Sequence, residues 1–311
     1  MALALLLANC GTPSGTSEAP GGADPIPTIA AGQLAAPLEA AHPGALPTTT
    51  AITTLDGVSL PPGHLVIPDP SYTTVPFTKP VMWVSTLAVN KVAQLWSQLV
   101  RAFPTTGLWP LILPIESGLE GRPWGDGELD PGTSSNPAIV DVTATVRMWW
   151  SEAIPDPPTI ANGVQSLHPF GTAFPGLAPA TTGRDKLSIL DQVAAQDAMK
   201  QGDLLGLVPV TRPADVLAAI GWQGPLNYYP DMGQLSAVLR SWEVRFGAEP
   251  VAVGFNDLWL AVMRPPTSLA EADRIAAEQL GVYPEEIGDY DSIGQYADSI
   301  VDQPKWYIYW D

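Results

Sequence analysis

Proline and glycine punctuate this chain so often that no long helical assembly can be built from it. Thirty-four prolines and 28 glycines are spread over 311 residues, and an interior proline both removes a helical hydrogen bond and clashes with the preceding turn. Short elements joined by many turns remain possible; a coiled coil or a long bundle does not. With 46% hydrophobic residues, the chain still holds enough apolar side chains for one large core or two modest ones. The prolines are unevenly placed. Thirteen fall in residues 11–80, where Lys79 is the only base. That composition buries too little surface to offset its ordering entropy, so it reads as a proline-, threonine- and glycine-rich tether. Within it, Ile52, Leu55, Val58, Leu60, Leu65 and Val66 give residues 51–67 an apolar face able to dock on the folded part of the chain.

Charge narrows the function. The chain has 32 acids against 14 bases, a net charge of −18. Nucleic acid is disfavoured, because its phosphates need Lys and Arg to neutralise them, and so is peripheral docking on anionic lipid. A basic partner fits better. Residues 203–311 hold 16 acids and 6 bases, so that third carries a net −10. One cysteine excludes an internal disulfide framework and a cysteine-rich metal centre, and three histidines leave little for a histidine-built one. No cofactor is expected. No run of about 18 apolar residues is present to span a membrane.

The single cysteine ends the run Leu7-Ala8-Asn9-Cys10, after which Gly, Thr, Ser and Pro take over. The run resembles the lipobox of bacterial lipoproteins, although Asn9 replaces the usual glycine or alanine and no basic n-region precedes it. That resemblance implies acylation of Cys10, attachment to the cell envelope through a lipid anchor, and a true start upstream. The alternative is an incidental thiol on a cytoplasmic protein.

Order is expected from about residue 81. Asn90 is placed to cap a helix carrying Val92, Leu95, Trp96, Leu99, Val100 and Phe103 at helical spacing, stopped by Pro104 and Gly107. Residues 108–115 read as a buried strand, 118–132 as a loop, 141–150 as a short element, and 153–182 as a proline-rich insertion. A helix over about 184–200 closes the segment 81–202. In 203–311 the pattern is strand, two helices, hairpin, helix, strand. Gly221 and Gly247 close the first two helices, Asp231 caps the second, and Ser268 with Glu271 has capping-box spacing for the third. Asn256-Asp257 is placed to turn the hairpin, and 306–310 alternates as an aromatic strand. The layout is α+β: a mixed or largely antiparallel sheet with a helix layer, preceded by the irregular stalk.

Several of these stretches also share a family's motifs. Thr106-Gly107-Leu108-Trp109-Pro110-Leu111, Gly121-Arg122-Pro123-Trp124 with Gly127-Glu128-Leu129, and the run from Leu239 through Trp242-Glu243 to Phe246-Gly247-Ala248 are similar to the domain of unknown function 4253 family. Val253-Gly254-Phe255, Tyr296-Ala297 and Trp310-Asp311 fit as well. The resemblance is strongest over about 205–311, with motifs back to about 90. It implies no activity and no catalytic residue.

No nucleotide-binding, hydrolase or metalloprotease signature is present. The most suggestive segment is the loop with Glu116, Glu120, Arg122, Trp124, Asp126, Glu128 and Asp130. Its alternating Asp126, Glu128 and Asp130 can be read as oxygens for a hard cation, or as an acid and a base whose pKa values burial separates. The third reading is a loop held by Arg122 pairing with one carboxylate. Trp222, Tyr228 and Tyr229 fall between helices, either packing over the sheet edge or stacking on a sugar or peptide. A second acidic stretch holds Glu285, Glu286, Asp289, Asp291, Asp298 and Asp302. Its EF-hand-like start fails at Ile293 and Ile300, leaving a solvated face or a docking surface. Together these features point to a lipid-anchored acidic binding domain for a protein or glycan. The alternatives are a carboxylate-dependent hydrolase built on residues 116–130, and a cytoplasmic immunity-type or inhibitor protein for a basic partner.

Overall fold

Left-handed glycines and side-chain caps set several helix ends. In the computed structural model, which describes residues 38–115, 121–154, 167–197 and 203–310, α1 (Val92–Thr106) ends at Gly107, whose φ of 63° lets its N–H bond Phe103 at 2.8 Å. The expected stop at Pro104 is not used: this proline sits inside the last turn and the helix runs past it. Asn90 is not the cap either; Lys91 occupies that position at φ 58° with no side-chain bond. α4 (Val216–Ile220) and α5 (Met232–Phe246) both close on left-handed glycines, Gly221 and Gly247, and Asp231 caps α5 through the Gly233 N–H. In α6 (Leu269–Val282), Ser268 accepts from the Glu271 N–H while the Glu271 carboxylate turns to the Thr267 N–H.

The strands are β1 (Thr53–Leu55), β2 (Val58–Leu60), β3 (Gly63–Val66), β4 (Met82–Ser85), β5 (Leu108–Leu113), β6 (Leu204–Pro209), β7 (Ala248–Val253), β8 (Asp257–Val262) and β9 (Lys305–Tyr309). β1 and β2 form a separate hairpin. The other seven make one mixed sheet in the order β3-β4-β6-β5-β7-β8-β9. Every neighbouring pair is antiparallel except β5 with β7. The architecture is α+β, as expected. Residues 51–67 do more than dock, since they supply the β1–β2 hairpin and the sheet's edge strand β3, with Leu60 and Val66 buried. Order therefore begins well before the expected residue 81, because β3 pairs with β4, which β6 from far along the chain pairs on its other side.

The β7–β8 turn is centred one residue early relative to the expectation. Gly254 bonds Asp257 across Phe255-Asn256, and neither residue adopts positive φ; Asp257 already belongs to β8. β5 and β7 are buried at every position, which requires cover on both faces. One helix group, α1 with α3 (Ser188–Asp197), packs on β5, β7 and β8. A second contains α2 (Val142–Ala153), α5, α6 and α8 (Ile293–Ile300), with α7 (Pro284–Gly288) against α6 and β9. Tryptophan fills the seams. Trp109 meets Trp96 and Phe103 edge-on at 5.9 and 5.1 Å, and Trp306 meets Trp242 and Phe246 at 5.4 and 5.6 Å. Residues 167–182 contain no helix or strand but pack on the helices, Trp150 donating to the Thr172 carbonyl at 2.9 Å.

Candidate functional site

Two of the sequence-predicted segments come together at one end of the sheet. Leu129 bridges Trp222, Asp130 donates its N–H to the Gly221 carbonyl at 2.7 Å, and Arg122 lies over the Phe255 ring at the β7–β8 turn, 4.7 Å from its centroid. The carboxylates of the loop do not converge. Glu128 is held by Arg122 in a two-bond fork at 2.8 and 2.6 Å. Asp130 is buried and accepts from the Thr74 and Gly132 N–H groups. Asp126 points to solvent. This geometry is that of a loop tied down by its own residues. Trp124 is buried at 3% exposure. Glu116, Glu120 and Cys10 lie outside the described residues.

The aromatic trio divides. Trp222 is 1% exposed, donates to the Gly254 carbonyl at 3.1 Å and meets Trp310 edge-on. Tyr229 is 6% exposed, donates to the Gly281 carbonyl at 2.8 Å and packs against Trp149 with its ring tilted by 41°. Its hydroxyl pKa is raised by burial. Only Tyr228 keeps about a third of its surface. Rings enclosed this way have no free face for a sugar or peptide, and the packing alternative describes Trp222 and Tyr229. Helix spacing could not reveal this, because both lie between helices where no period applies.

Sequence reasoning missed two strongly perturbed carboxyls. They sit where α5 turns into β7, around Gly247. Glu243, 2% exposed, is gripped at one oxygen by both Nε and the terminal nitrogen of Arg212. Its other oxygen has no hydrogen-bond partner. Glu249 is wholly buried and neither of its oxygens has one. Burial is the main cause that raises both carboxyls, Glu243 to about 7 and Glu249 well above the ordinary range. Arg212 opposes both shifts. Asp215 and Glu39 push Glu243 further up; Glu243 and Asp185 do the same to Glu249, while Arg264 opposes. Asp185 is itself paired with Arg264, and Asp215 with Arg240 at 2.5 and 2.6 Å.

Glu278, on α6, shows what full satisfaction looks like: it takes Arg245 at 2.8 and 2.5 Å, the Trp242 indole at 2.8 Å and the Ala178 N–H at 3.0 Å. A signal for Glu243 was present. It stands four residues after Leu239 and three before Phe246, on the apolar stripe of α5. Two carboxyls with separated pKa values are the pattern of an acid–base pair, yet at 0% and 2% exposure they have no surface to offer a substrate.

The second acidic stretch does face water. Asp289, Asp291, Asp298 and Asp302 are exposed around α8, and Ser292 caps that helix by accepting from Gln295. The neighbouring Asp273 is raised by desolvation and by Asp298, with His168 opposing. Among the described residues no three His, Cys, Asp or Glu side chains are grouped to hold a metal, and no helix is long and apolar enough to cross a membrane.

No curated protein and no solved structure matches the chain. A family model does match its C-terminal third. The strand β6, the Arg212–Glu243–Glu249 cluster and the exposed acids of α8 all fall within it: residues 204–311 are a DUF4253 domain, a domain of unknown function.

Proposed function

We propose that the chain is an acidic binding domain that docks a basic protein, presented from a proline-rich tether and anchored to the cell envelope through acylated Cys10. The observation that carries the reading is how charge is distributed between interior and surface. Six arginines are committed to carboxylates of the same chain: Arg101 to Asp191, Arg122 to Glu128, Arg212 to Glu243, Arg240 to Asp215, Arg245 to Glu278 and Arg264 to Asp185. The exposed acids around α8 are left to shape the external field, which steers and orients a cationic partner. A protein is favoured over a glycan because Trp222 and Tyr229 are enclosed in the core.

The test is titration with a deca-arginine peptide at two salt concentrations. Changing Asp289, Asp291, Asp298 and Asp302 together to Asn should weaken binding roughly tenfold, at a few tenths of a kcal/mol per exposed charge pair. Changing the equally exposed Asp56 and Asp126 should leave it within twofold. Equal losses of binding free energy per charge removed in the two variants would reduce the effect to net charge and end the docking-face reading. Anchoring is checked separately by the mass of the amino-terminal peptide from membrane and soluble fractions; an unmodified Cys10 in soluble protein would remove the lipid anchor.

A further inference from the structure

The segment that leads from the tether into the sheet crosses the Arg212–Glu243 pair. Ala40, 7% exposed, donates its N–H to the Thr211 carbonyl at 2.9 Å, and Gly44 donates to the Gly107 carbonyl at 2.8 Å. Leu38 and Leu46 pack against the core on either side. Gly44 and Gly107 approach so closely that a Cβ on either would strike the other segment's backbone. Immediately before the first of these pins, Glu39 reaches to 3.8 Å from the Nε of Arg212 while staying half exposed.

Arg212 is therefore shared by two carboxylates of different kinds: Glu243, buried on α5, and Glu39, on the crossing segment. We infer that residues 38–46 are a strap whose hold on the domain is set by which of these two carboxylates neutralises Arg212, so that the protonation of Glu243 couples solution pH to docking of the tether. The other charged groups facing Glu243 are already accounted for. Asp215 is paired with Arg240, and Glu249 on β7, which faces the Asp185–Arg264 pair, is buried with neither oxygen hydrogen-bonded.

The sign follows from the charges. With Glu243 protonated, Arg212 has only Glu39 to neutralise it and the strap is held. As pH rises through about 7, Glu243 ionises, neutralises the guanidinium it already bonds, and adds a negative charge facing Glu39. The strap loosens. Nine residues freed at up to ~3.3–3.6 Å each would lengthen the tether by roughly 30 Å. This coupling is independent of the acidic docking face.

Amide hydrogen exchange on the full chain tests it, with rates corrected for the intrinsic pH effect. Protection at Ala40 and Gly44 should fall about two- to fivefold between pH 6 and pH 8, the range expected for a half-exposed ion pair. Protection at Ile112 on β5 reports global opening. In Glu39→Gln, a surface change, the strap-specific fall should vanish; in Glu243→Gln the strap should stay docked at both pH values. If Glu243→Gln does not fold, Glu39→Gln decides the matter alone. An unchanged pH response in Glu39→Gln overturns the inference. So does no response in the wild type, or one no larger at Ala40 and Gly44 than global opening produces.

Discussion

Replacing Glu249 by Gln should make the protein more stable at neutral and alkaline pH and remove part of its pH dependence. Glu249 is wholly buried with neither oxygen hydrogen-bonded. Burial, reinforced by Glu243 and Asp185, raises its pKa well above 4.5, with Arg212 and Arg264 opposing. Above pH 4.5 the unfolded chain has therefore lost a proton that the folded chain keeps. The folded state binds more protons in that window, so stability falls as pH rises, until the folded carboxyl also ionises.

One proton corresponds to about 1.4 kcal/mol per pH unit. Gln matches the neutral acid in size and has no proton to lose, so this slope should disappear from the variant. Glu243 titrates in the same direction and remains in both proteins, and the two carboxyls share their titration. The quantity to measure is accordingly the difference in slope, not the slope itself. Urea unfolding at pH 5.5, 6.5 and 7.5, with linear extrapolation to water, should show the wild type losing more stability than the variant as pH rises, by at most about 1.4 kcal/mol per unit of pH. Parallel lines would mean that Glu249 is ionised in the folded protein, and the buried-acid argument would fail.

Glu278→Gln should destabilise by about 3–5 kcal/mol, because it leaves the paired and largely buried Arg245 without its counter-charge; a loss of unfolding free energy, extrapolated from urea, of less than a third of that size would show that the pair is not structural. Trp222→Ala should cost about 3–5 kcal/mol as a core cavity, whereas Tyr228→Ala should stay within about 0.5 kcal/mol as a surface change. Thermal unfolding of the two variants side by side checks this, and equal losses would contradict the burial that separates them.

Elements carried by local signals were legible in the amino-acid order. Gly221 and Gly247 end helices because a left-handed residue costs glycine nothing, and Asp231 and Ser268 cap theirs with short side-chain acceptors. The alternation at 306–310 became β9, with Trp306, Ile308 and Trp310 buried and Tyr307 exposed. Where the local code was weak, the reading slipped. Lys91 rather than Asn90 begins α1, and the β7–β8 turn closes across Phe255-Asn256 without positive φ. The Arg122–Glu128 tie was one of three readings open for its loop, and only the fork geometry separates it from dispersed carboxylates such as Asp126.

Sequence alone determined what depends on neighbours a few residues apart: the α+β class, the proline-broken lengths, the caps, and the acidic excess concentrated in residues 203–311. Tertiary structure decided everything that depends on pairing across long separations. It inserted β6 between β4 and β5, joined β5 to β7 in parallel, and drew residues 63–66 in as an edge strand. It also enclosed Trp222 and placed Glu243, Glu249, Arg212 and the strap's Glu39 around one point. The reason is physical. A cap or a 3.6-residue period is satisfied locally, but the burial of a carboxylate depends on which distant segments close over it, and no spacing within the chain records that.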